Sequence, residues 1–375
     1  MVMLFPIDEY EARVKRVREH MATRNLDVLI IDQSEFLAYV TGFLISENMY
    51  RACLLPRDGE PIMILRAVDL GPFAESSWLS RSVAFADWED PVQVLADTIR
   101  SLGCAKGRVG LDEDSYCMPL SRFKHLSAQL PDAHFVDFSG VMAQLRARKS
   151  AREVAVLRRA AAIGDLGIDA ALKASGEGRS GRDAAAAVYQ AFMREGADAA
   201  RAGVITAGVG NAFLHGGLTK QPLAKGDILH MELLPYIDGY SARLMRSAVI
   251  GEIDPRRSHL ARRLIDIQDR QFEAIKPEAN AADVDALARK AMLADGLRPD
   301  YPNITGYSLG CYSLQSPRTS DFSRIFLPTA QWTLEEGMVF HMYVSADGIA
   351  ISETVLVTET GHECLTRSPR QVFQV

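Results

Sequence analysis

The sequence has no run of apolar residues near the roughly 20 that a membrane-spanning helix needs, and no excess of basic residues. Its 42 Lys and Arg residues against 48 Asp and Glu residues give a formal net charge of −6, so no global positive field holds nucleic acid or an anionic membrane. The five cysteines form no CxxC pair, and no basic segment followed by an apolar one marks the N-terminus. These absences predict a cytoplasmic protein with reduced thiols whose partners are small molecules.

A phosphate-binding loop, a low-complexity segment and a short internal repeat are missing as well. The glycine stretch at 207–210 is too short for a nucleotide-binding loop and lacks the strand and helix that frame one. With 375 residues, of which 48% are hydrophobic and 24% charged, the chain can build one large domain or two moderate ones with ordinary cores.

The first 147 residues alternate between helical and strand patterns. They open with an amphipathic helix near Glu9–Arg24 and a buried strand at Asp27–Ile31. This alternation predicts an α/β domain over residues 1–147. The further strands expected there are Arg51–Leu55, Pro61–Leu65, Arg108–Leu111 and His134–Val136, and the further helices are Pro91–Leu102 and Leu120–Gln129.

The remaining residues, 148–375, have a different organisation. Two helices, Glu153–Lys173 and Gly181–Arg194, are followed by strands and turns around residues 203–251. Two more helices and a β-rich end complete the pattern, which predicts an α+β domain. The last elements expected are helices near His259–Ile275 and Ala281–Ala294 and strands near Met338–Val344 and Ala350–Val357.

Short motifs follow one another in a fixed order through this second half. They are Phe213-Leu214-His215-Gly216-Gly217, Leu223-Ala224-Lys225-Gly226-Asp227, Gly239-Tyr240, Gly306-Tyr307-Ser308-Leu309-Gly310, Glu336-Gly337-Met338-Val339-Phe340 and the run from Glu353 to Gly361. Their order resembles the pita-bread fold shared by methionine aminopeptidases, Xaa-Pro peptidases and creatinase. Tyr39-Val40-Thr41-Gly42-Phe43 and the junction Arg148-Lys149-Ser150 resemble the two-domain branch with creatinase and prolidase. The resemblance implies an α/β N-terminal domain followed by an α+β pita-bread domain.

In the peptidase members of this fold, two Asp, one His and two Glu bridge a pair of divalent metals. The resemblance implies that these places fall on Glu232, Arg243, Tyr307, Tyr343 and Ser352. A hard divalent site needs several carboxylate oxygens, and a guanidinium cannot be deprotonated to become a ligand. We therefore expect no metal and no other cofactor, and an Xaa-Pro peptidase stays as the last alternative.

Acid/base chemistry is expected at His215, which occupies the position of the histidine that creatinase, a metal-free member, uses for this purpose. Its ordinary pKa near 6.5 suits a proton shuttle, although a packing or loop histidine is the alternative. Glu232 lies in an apolar run, where a buried carboxylate needs a partner or a raised pKa. It is either a base or one half of an ion pair with Arg243 or Arg246. Glu353 is a secondary catalytic candidate, since alternation along its strand can turn it away.

Carboxylate binding is expected from Arg243 and from Arg318, which stands eleven residues after Tyr307, the creatinase spacing for such an arginine. Arg51 resembles a second carboxylate-binding position that reaches the neighbouring subunit's pocket in creatinase, and the resemblance implies a homodimer. Bidentate arginine contacts select a planar carboxylate. Tyr307 and Tyr343 are expected to line the cavity and stack on a cationic or amidine-like group, or else to be ordinary core tyrosines.

The turn around Tyr307, Glu232 and the run from Gly337 to His341 look closer to ectoine hydrolases, another branch that lacks the full metal set. Creatinase keeps a histidine and a glutamate where this chain has Tyr307 and Tyr343. Ectoine hydrolases, in turn, tend to carry an acidic residue and tryptophans where this chain has Ala350 and the segment at 343–348. The sequence therefore leaves the substrate open.

The leading hypothesis is a metal-independent hydrolase of a non-peptide C–N bond in a small zwitterionic carboxylate. Glu232 positions or deprotonates water, His215 gives a proton to the leaving nitrogen, and Arg243 with Arg318 holds the carboxylate. The alternatives are a catalytically silent domain that binds a ligand or a protein, and a lyase acting on a related zwitterion.

Overall fold

The structure is a computed structural model that describes residues 3–44, 49–199, 203–207, 211–218, 220–312, 316–318, 320 and 322–375, without the side chains of residues 211 and 212. The chain divides into two compact units, residues 1–146 with 311–318 and residues 147–310 with 319–375. Residues 208–210 of the short glycine stretch lie outside the described residues. Within the described residues, no helix combines the length and the apolar character that crossing a membrane requires.

The first unit is built on a six-stranded mixed sheet in the order β4-β3-β2-β1-β5-β6. Strand β1 runs parallel to β5 and antiparallel to β2. Its strands are β1 Val28–Ile31, β2 Ala52–Pro56, β3 Ile62–Arg66, β4 Ser82–Phe85, β5 Arg108–Leu111 and β6 His134–Asp137. Its helices are α1 Ile7–Thr23, α2 Ser34–Thr41, α3 Leu70–Ser76, α4 Pro91–Ser101, α5 Leu120–Gln129 and α6 Val141–Ala147, the last of which ends at the unit boundary.

Both faces of this sheet are buried, which explains why β1 reads as a continuous apolar run. Leu29 and Ile31 join a core with the residues of α1 and α2. Val28 and Ile30 point the other way, into a core with α4 and α5. The period of two along the strand thus separates two cores.

The second unit is built on a nine-stranded sheet in which β13-β12-β14-β15-β11-β8-β7 form the main path and β16 and β17 pair at β15 and β11. The strands of this unit are β7 Gly203–Ala207, β8 Ile228–Leu233, β9 Tyr236–Ile237, β10 Tyr240–Ser241, β11 Leu244–Val249, β12 Gly306–Ser308, β13 Ile325–Phe326, β14 Val339–Ala346, β15 Ile349–Val357, β16 His362–Cys364 and β17 Val372–Gln374. Of these, β9 and β10 form a separate two-stranded sheet. Its helices are α7 Ala151–Ala174, α8 Gly181–Arg194, α9 Pro255–Glu273 and α10 Ala281–Ala294, and a short 3₁₀ helix spans Asn211–His215.

Local sequence signals set the helix starts of this unit. Ser150 and Glu153 form a capping box at α7, where each side chain meets the other residue's backbone N–H. Asp254 caps α9 just before Pro255, and Asn280 caps α10. These caps accept hydrogen bonds from backbone N–H groups that have no partner within the first turn of a helix.

The helices cover one face of the second sheet. Ile349 and Ile351 of β15 pack with residues of α9 and α10, and a side chain at Gly164 of α7 would collide with Leu244 of β11. Residues that alternate with these, such as Ser352 and Met245, therefore point to the opposite face. That opposite face carries the site.

The predicted elements are confirmed apart from shifts of a few residues at their ends, and Leu120–Gln129, Gly181–Arg194 and Ala281–Ala294 have the predicted bounds. The sequence analysis did not assign α2. All eight of its residues are buried, so it has no polar face and no helical period for a sequence to display. It ends at Gly42, whose φ of 75° is left-handed and favours glycine.

Candidate active site

A cavity of about 780 Å³ lies in the second unit, on the sheet face that the helices leave uncovered. Its size is within the range of small-molecule sites, about 300–1,000 Å³. Its polar lining residues are Tyr189, His215, Glu232, Arg243, Asn303, Tyr307 and Tyr343, and its apolar ones include Leu214, Leu234, Met245, Ile304 and Phe322. The cavity thus combines a few convergent polar groups with largely apolar walls.

Strand register brings residues distant in sequence into one row across the floor of the cavity. Glu232 on β8 pairs with Met245 on β11, Met245 pairs with Ser352 on β15, and Ser352 pairs with Tyr343 on β14. Directly paired residues point to the same face of a sheet. Hydrogen-bonded strands therefore hold Glu232 and Tyr343 over the same cavity.

Arg243 lies between two acceptors at the base of the cavity. Its Nη1 atom is 3.3 Å from Oε1 of Glu232, and the two side chains are 9% and 7% exposed. The same Nη1 donates to the hydroxyl of Tyr307, and the guanidinium carbon lies 5.3 Å from the centre of that ring. Its Nε is buried and has no hydrogen-bond partner among the described residues. The ion pair with Arg243, one of two alternatives that the sequence left open for Glu232, is present.

His341, which the sequence analysis did not select, continues this chain of contacts. It is fully buried, with Nδ1 2.9 Å from the Tyr307 hydroxyl and Nε2 2.7 Å from Oγ of Ser352. Burial holds its pKa well below the ordinary value, and the charge of Arg243 acts in the same direction. The imidazole is therefore neutral.

Burial raises the pKa of Glu232, while the positive charge of Arg243 and a smaller effect of His215 oppose that rise. His215 is at the end of the 3₁₀ helix and is exposed at the cavity. His215 and Glu232 both line this cavity. The structure thus brings together the histidine and the carboxylate that the sequence analysis proposed as an acid/base pair.

The aromatic residues of the cavity form a connected wall. The Tyr307 ring centre is 5.3 Å from that of Phe322 and 6.3 Å from that of Tyr343. The Tyr343 hydroxyl accepts a hydrogen bond of 3.3 Å from Nδ2 of Asn303. Burial raises the pKa of both tyrosines, so they remain neutral hydroxyls.

A second buried histidine, His230, precedes Glu232 by two residues and shares its face of β8. It is fully buried, and neither ring nitrogen has a hydrogen-bond partner among the described residues. Its ring centre is 4.9 Å from that of Phe213. Burial lowers the pKa of His230 to about 3, with a smaller effect of His215.

Glu353 points away from the cavity, so its secondary catalytic assignment needs correction. Along β15 it shares the helix-covered face with Ile351, and its Oε1 is 2.7 Å from Nη2 of Arg246. Thr366 donates to its other oxygen, and Arg246 is itself fully buried. Because side chains alternate between the two faces along the strand, this carboxylate lies on the face opposite the cavity. There it forms a structural ion pair with Arg246.

Arg318 and Arg51 belong to the first unit. Arg318 donates to the backbone oxygen of Asp114 at 3.1 Å, and its guanidinium carbon is 5.5 Å from the Tyr116 ring centre. Arg51 donates to the Ser34 hydroxyl and to the oxygen of Met49. Their contacts are made within that unit, and their role in carboxylate binding stays a prediction.

Comparison with known families accounts for both units. The profile of metallopeptidase family M24 matches residues 155–359, and that of the creatinase/prolidase N-terminal domain matches residues 13–148. The chain belongs to metallopeptidase family M24. The expected combination of a creatinase-type N-terminal domain and a pita-bread domain is confirmed.

Relatives of the M24 chain include proteins with different named activities. It is 26% identical to ectoine hydrolase from Halomonas elongata, over 98% of both chains. It is 24% identical to creatinase from Bacillus sp., over 97% of this chain and 92% of that protein. The crystal structure of prolidase from Pyrococcus horikoshii matches with a TM-score of 0.82 and 21% identity, over 96% of this chain and 99% of that one. These similarities establish a hydrolase family and leave the substrate open.

The family name implies metal ions, and the side chains at the five positions that the resemblance assigns to metal ligands do not fit them. Glu232 supplies one carboxylate, while Tyr307, Tyr343 and Ser352 supply neutral hydroxyls. Arg243 adds a positive charge, and its Nη1 atom already contacts Glu232 and Tyr307. Divalent cations need several anionic oxygen or nitrogen donors. No group of three or more His, Cys, Asp and Glu within the described ranges has metal-site geometry.

Proposed function

We propose that this M24 protein is a metal-independent hydrolase of a non-peptide C–N bond in a small zwitterionic carboxylate, similar to ectoine or creatine. The observation that carries the proposal is the ion pair of Arg243 and Glu232 beside His215 in one small cavity. The similarity to ectoine hydrolase over nearly the whole chain supports it.

Arg243 would bind the carboxylate of the substrate. Its Nη1 faces Glu232 and Tyr307, and its buried Nε has no hydrogen-bond partner among the described residues. A buried donor without an acceptor costs about 1–3 kcal/mol, and a planar carboxylate that reached the Nε side of the guanidinium would satisfy it. The cationic or amidine-like end would then lie against Tyr307, Phe322 and Tyr343.

Substrate binding would also weaken the hold of Arg243 on Glu232, because the incoming carboxylate shares the positive charge of the guanidinium. Glu232 takes a proton from water as the water oxygen adds to the carbon of the C–N bond. His215 gives a proton to the nitrogen as that bond breaks. General acid/base help contributes about 10²–10⁴-fold, so positioning in the cavity must supply much of the remaining acceleration.

Turnover of ectoine, hydroxyectoine, creatine and glycyl-proline, measured in ¹⁸O-labelled water with a chelator present, tests the proposal. One ¹⁸O atom in the product of a cyclic amidine or guanidino acid is the expected result. His215→Ala should reduce turnover at least 100-fold with affinity within about threefold, whereas His259→Ala, an exposed histidine on α9, should change neither.

Other outcomes would replace the proposal. Product without ¹⁸O would indicate a lyase, and binding without turnover would indicate a silent binding domain. Cleavage of glycyl-proline that the chelator abolishes would indicate a metal-dependent peptidase. Arg51→Ala and Arg318→Ala test the two further carboxylate contacts, and light scattering tests the homodimer that the resemblance implies.

A further inference from the structure

His341 makes two hydrogen bonds in the interior of the second unit, one with each ring nitrogen. Nδ1 contacts the Tyr307 hydroxyl at 2.9 Å, and Nε2 contacts Oγ of Ser352 at 2.7 Å. Tyr307 is also directly opposite His341 in the pairing of β12 with β14. The imidazole is fully buried, so no water competes for these contacts.

The direction of each hydrogen bond follows from Arg243. A guanidinium only donates, so the Tyr307 oxygen must accept the bond from Nη1. The single hydroxyl proton of Tyr307 is then left for Nδ1 of His341. Because Nδ1 accepts, a neutral imidazole carries its proton on Nε2 and donates it to Ser352. When every hydrogen bond runs in the same donor-to-acceptor direction, from Arg243 through Tyr307 and His341 to Ser352, each of these contacts has one donor and one acceptor.

We propose that His341 is a positioning residue that fixes the guanidinium of Arg243 through the Tyr307 hydroxyl. By accepting the hydroxyl proton, His341 keeps the Tyr307 oxygen available to Nη1 of Arg243. With Nη1 held by Tyr307 and Glu232, the guanidinium has one orientation in the wall of the cavity, and a ligand meets it already aligned. That this ligand is a carboxylate rests on the proposed function; the positioning itself does not.

Without the acceptor on His341, the hydroxyl proton of Tyr307 would be free to turn. Glu232 Oε1 and the Tyr307 hydroxyl both contact Nη1 of Arg243, so the carboxylate is the competing acceptor beside this hydroxyl. A hydroxyl turned that way would share the Glu232 oxygens with Arg243, and the guanidinium would lose its fixed orientation. His341 therefore acts on the ligand indirectly, through the hydroxyl proton of Tyr307 and then the guanidinium of Arg243.

Two substitutions separate this role from a merely structural one. The amide of His341→Asn can accept at the place of Nδ1, whereas the amide of His341→Gln extends to the place of Nε2 and reaches Ser352 instead. Each variant keeps one of the two contacts, so their losses of thermal stability should be similar. Ser352→Ala is the matched control, since it removes the far contact and leaves Nδ1 with Tyr307.

The measurements are nitrogen NMR spectra of histidine- and arginine-labelled protein without ligand. We expect wild-type His341 to carry its proton on Nε2, and Arg243 to show separate Nη1 and Nη2 signals, the signature of a fixed guanidinium. His341→Asn and Ser352→Ala should keep these separate signals. His341→Gln and Tyr307→Phe should average them and weaken ectoine binding about tenfold, as expected for one charge-assisted hydrogen bond.

A proton on Nδ1 of wild-type His341 would overturn the proposal without any variant. Separate Arg243 signals retained in His341→Gln would overturn it as well. If the NMR results are as expected and wild-type protein does not bind ectoine, the positioning role of His341 stands and the ligand assigned under the proposed function is wrong.

Discussion

Loss of Arg243 should strongly destabilise the second unit, because this residue is the counter-charge of a buried carboxylate. The side chains of Arg243 and Glu232 are 9% and 7% exposed, with 3.3 Å between their charged atoms. Breaking such a pair from one side costs about 3–5 kcal/mol. We expect Arg243→Met to lower the free energy of unfolding by about 3 kcal/mol at pH 7.5, the lower end of that range, because Glu232 can take up a proton instead of remaining charged.

The loss should depend on pH with a definite sign. Burial raises the pKa of Glu232 and Arg243 opposes that rise, so removing Arg243 raises the pKa further. A carboxyl whose pKa is higher in the folded protein is destabilising once the unfolded chain has released its proton. The destabilisation should therefore grow as the pH rises above 4.5, the ordinary value for glutamate, and should be smallest at the acid end.

Urea unfolding, followed by circular dichroism at pH 5 and pH 7.5, measures this effect. At about 2–4 °C for each kcal/mol, the expected loss corresponds to about 6–12 °C in melting temperature. The double variant Arg243→Met with Glu232→Gln removes the isolated charge and should recover at least half of the loss. Equal destabilisation at both pH values, or a double variant as unstable as Arg243→Met, would refute the reasoning.

Two further predictions concern buried groups outside this ion pair. His230 has no hydrogen-bond partner among the described residues, so His230→Phe should leave stability at pH 7 unchanged or raise it by about 1 kcal/mol. Because burial lowers the pKa of His230 to about 3, wild-type stability should fall as the pH drops from 6.5 toward 3, and this loss should shrink in the variant; unchanged acid sensitivity in urea melts would count against it. Burial raises the pKa of Asp32 in the first unit to about 6, from an ordinary value of 3.8. Wild-type stability should therefore fall by about 3 kcal/mol as the pH rises from about 4 to 6, at 1.36 kcal/mol for each pKa unit. Asp32→Asn should remove this slope, and an identical slope in calorimetric scans would contradict the assignment.

The periodic elements of the fold could be predicted from the sequence because one face of each meets water and the other meets a core. Gly181–Arg194 and Ala281–Ala294 each have such a pattern, and a residue before each contacts the first backbone N–H groups. Helix α2 lacks the pattern since all its residues are buried. Strand β4 was also not assigned, because its residues are partly exposed and it has only four of them.

The site could be predicted only in part, because the motifs mark positions and not contacts. His215, Glu232, Arg243, Tyr307 and Tyr343 were selected through the resemblance, and all five line one cavity. Which acceptor Arg243 would use could not be derived, since that depends on strand register.

The face on which His341 lies can be predicted from its spacing along the chain. His341 precedes Tyr343 by two residues on a predicted strand, so the two side chains share a face. Glu353 follows Ser352 directly, and the same alternation places it on the other face, against Arg246. The period of two thus places His341 on the cavity face of the sheet and Glu353 on the opposite face.

The net charge at positions 232, 243, 307, 343 and 352 is similar whether they hold metal ligands with their metal ions or the residues of this chain. The resemblance implies that four carboxylates face two divalent cations in the peptidase members of the fold, whereas here one carboxylate, Glu232, faces one guanidinium, Arg243. Tyr307, Tyr343 and Ser352 add no charge, so both arrangements are close to neutral. A divalent cation at about 4 Å from the guanidinium would be repelled by about 8 kcal/mol at an effective dielectric constant of about 20. The same guanidinium already pairs with Glu232, the one carboxylate among these five positions, so a return to metal chemistry would have to begin with the replacement of Arg243.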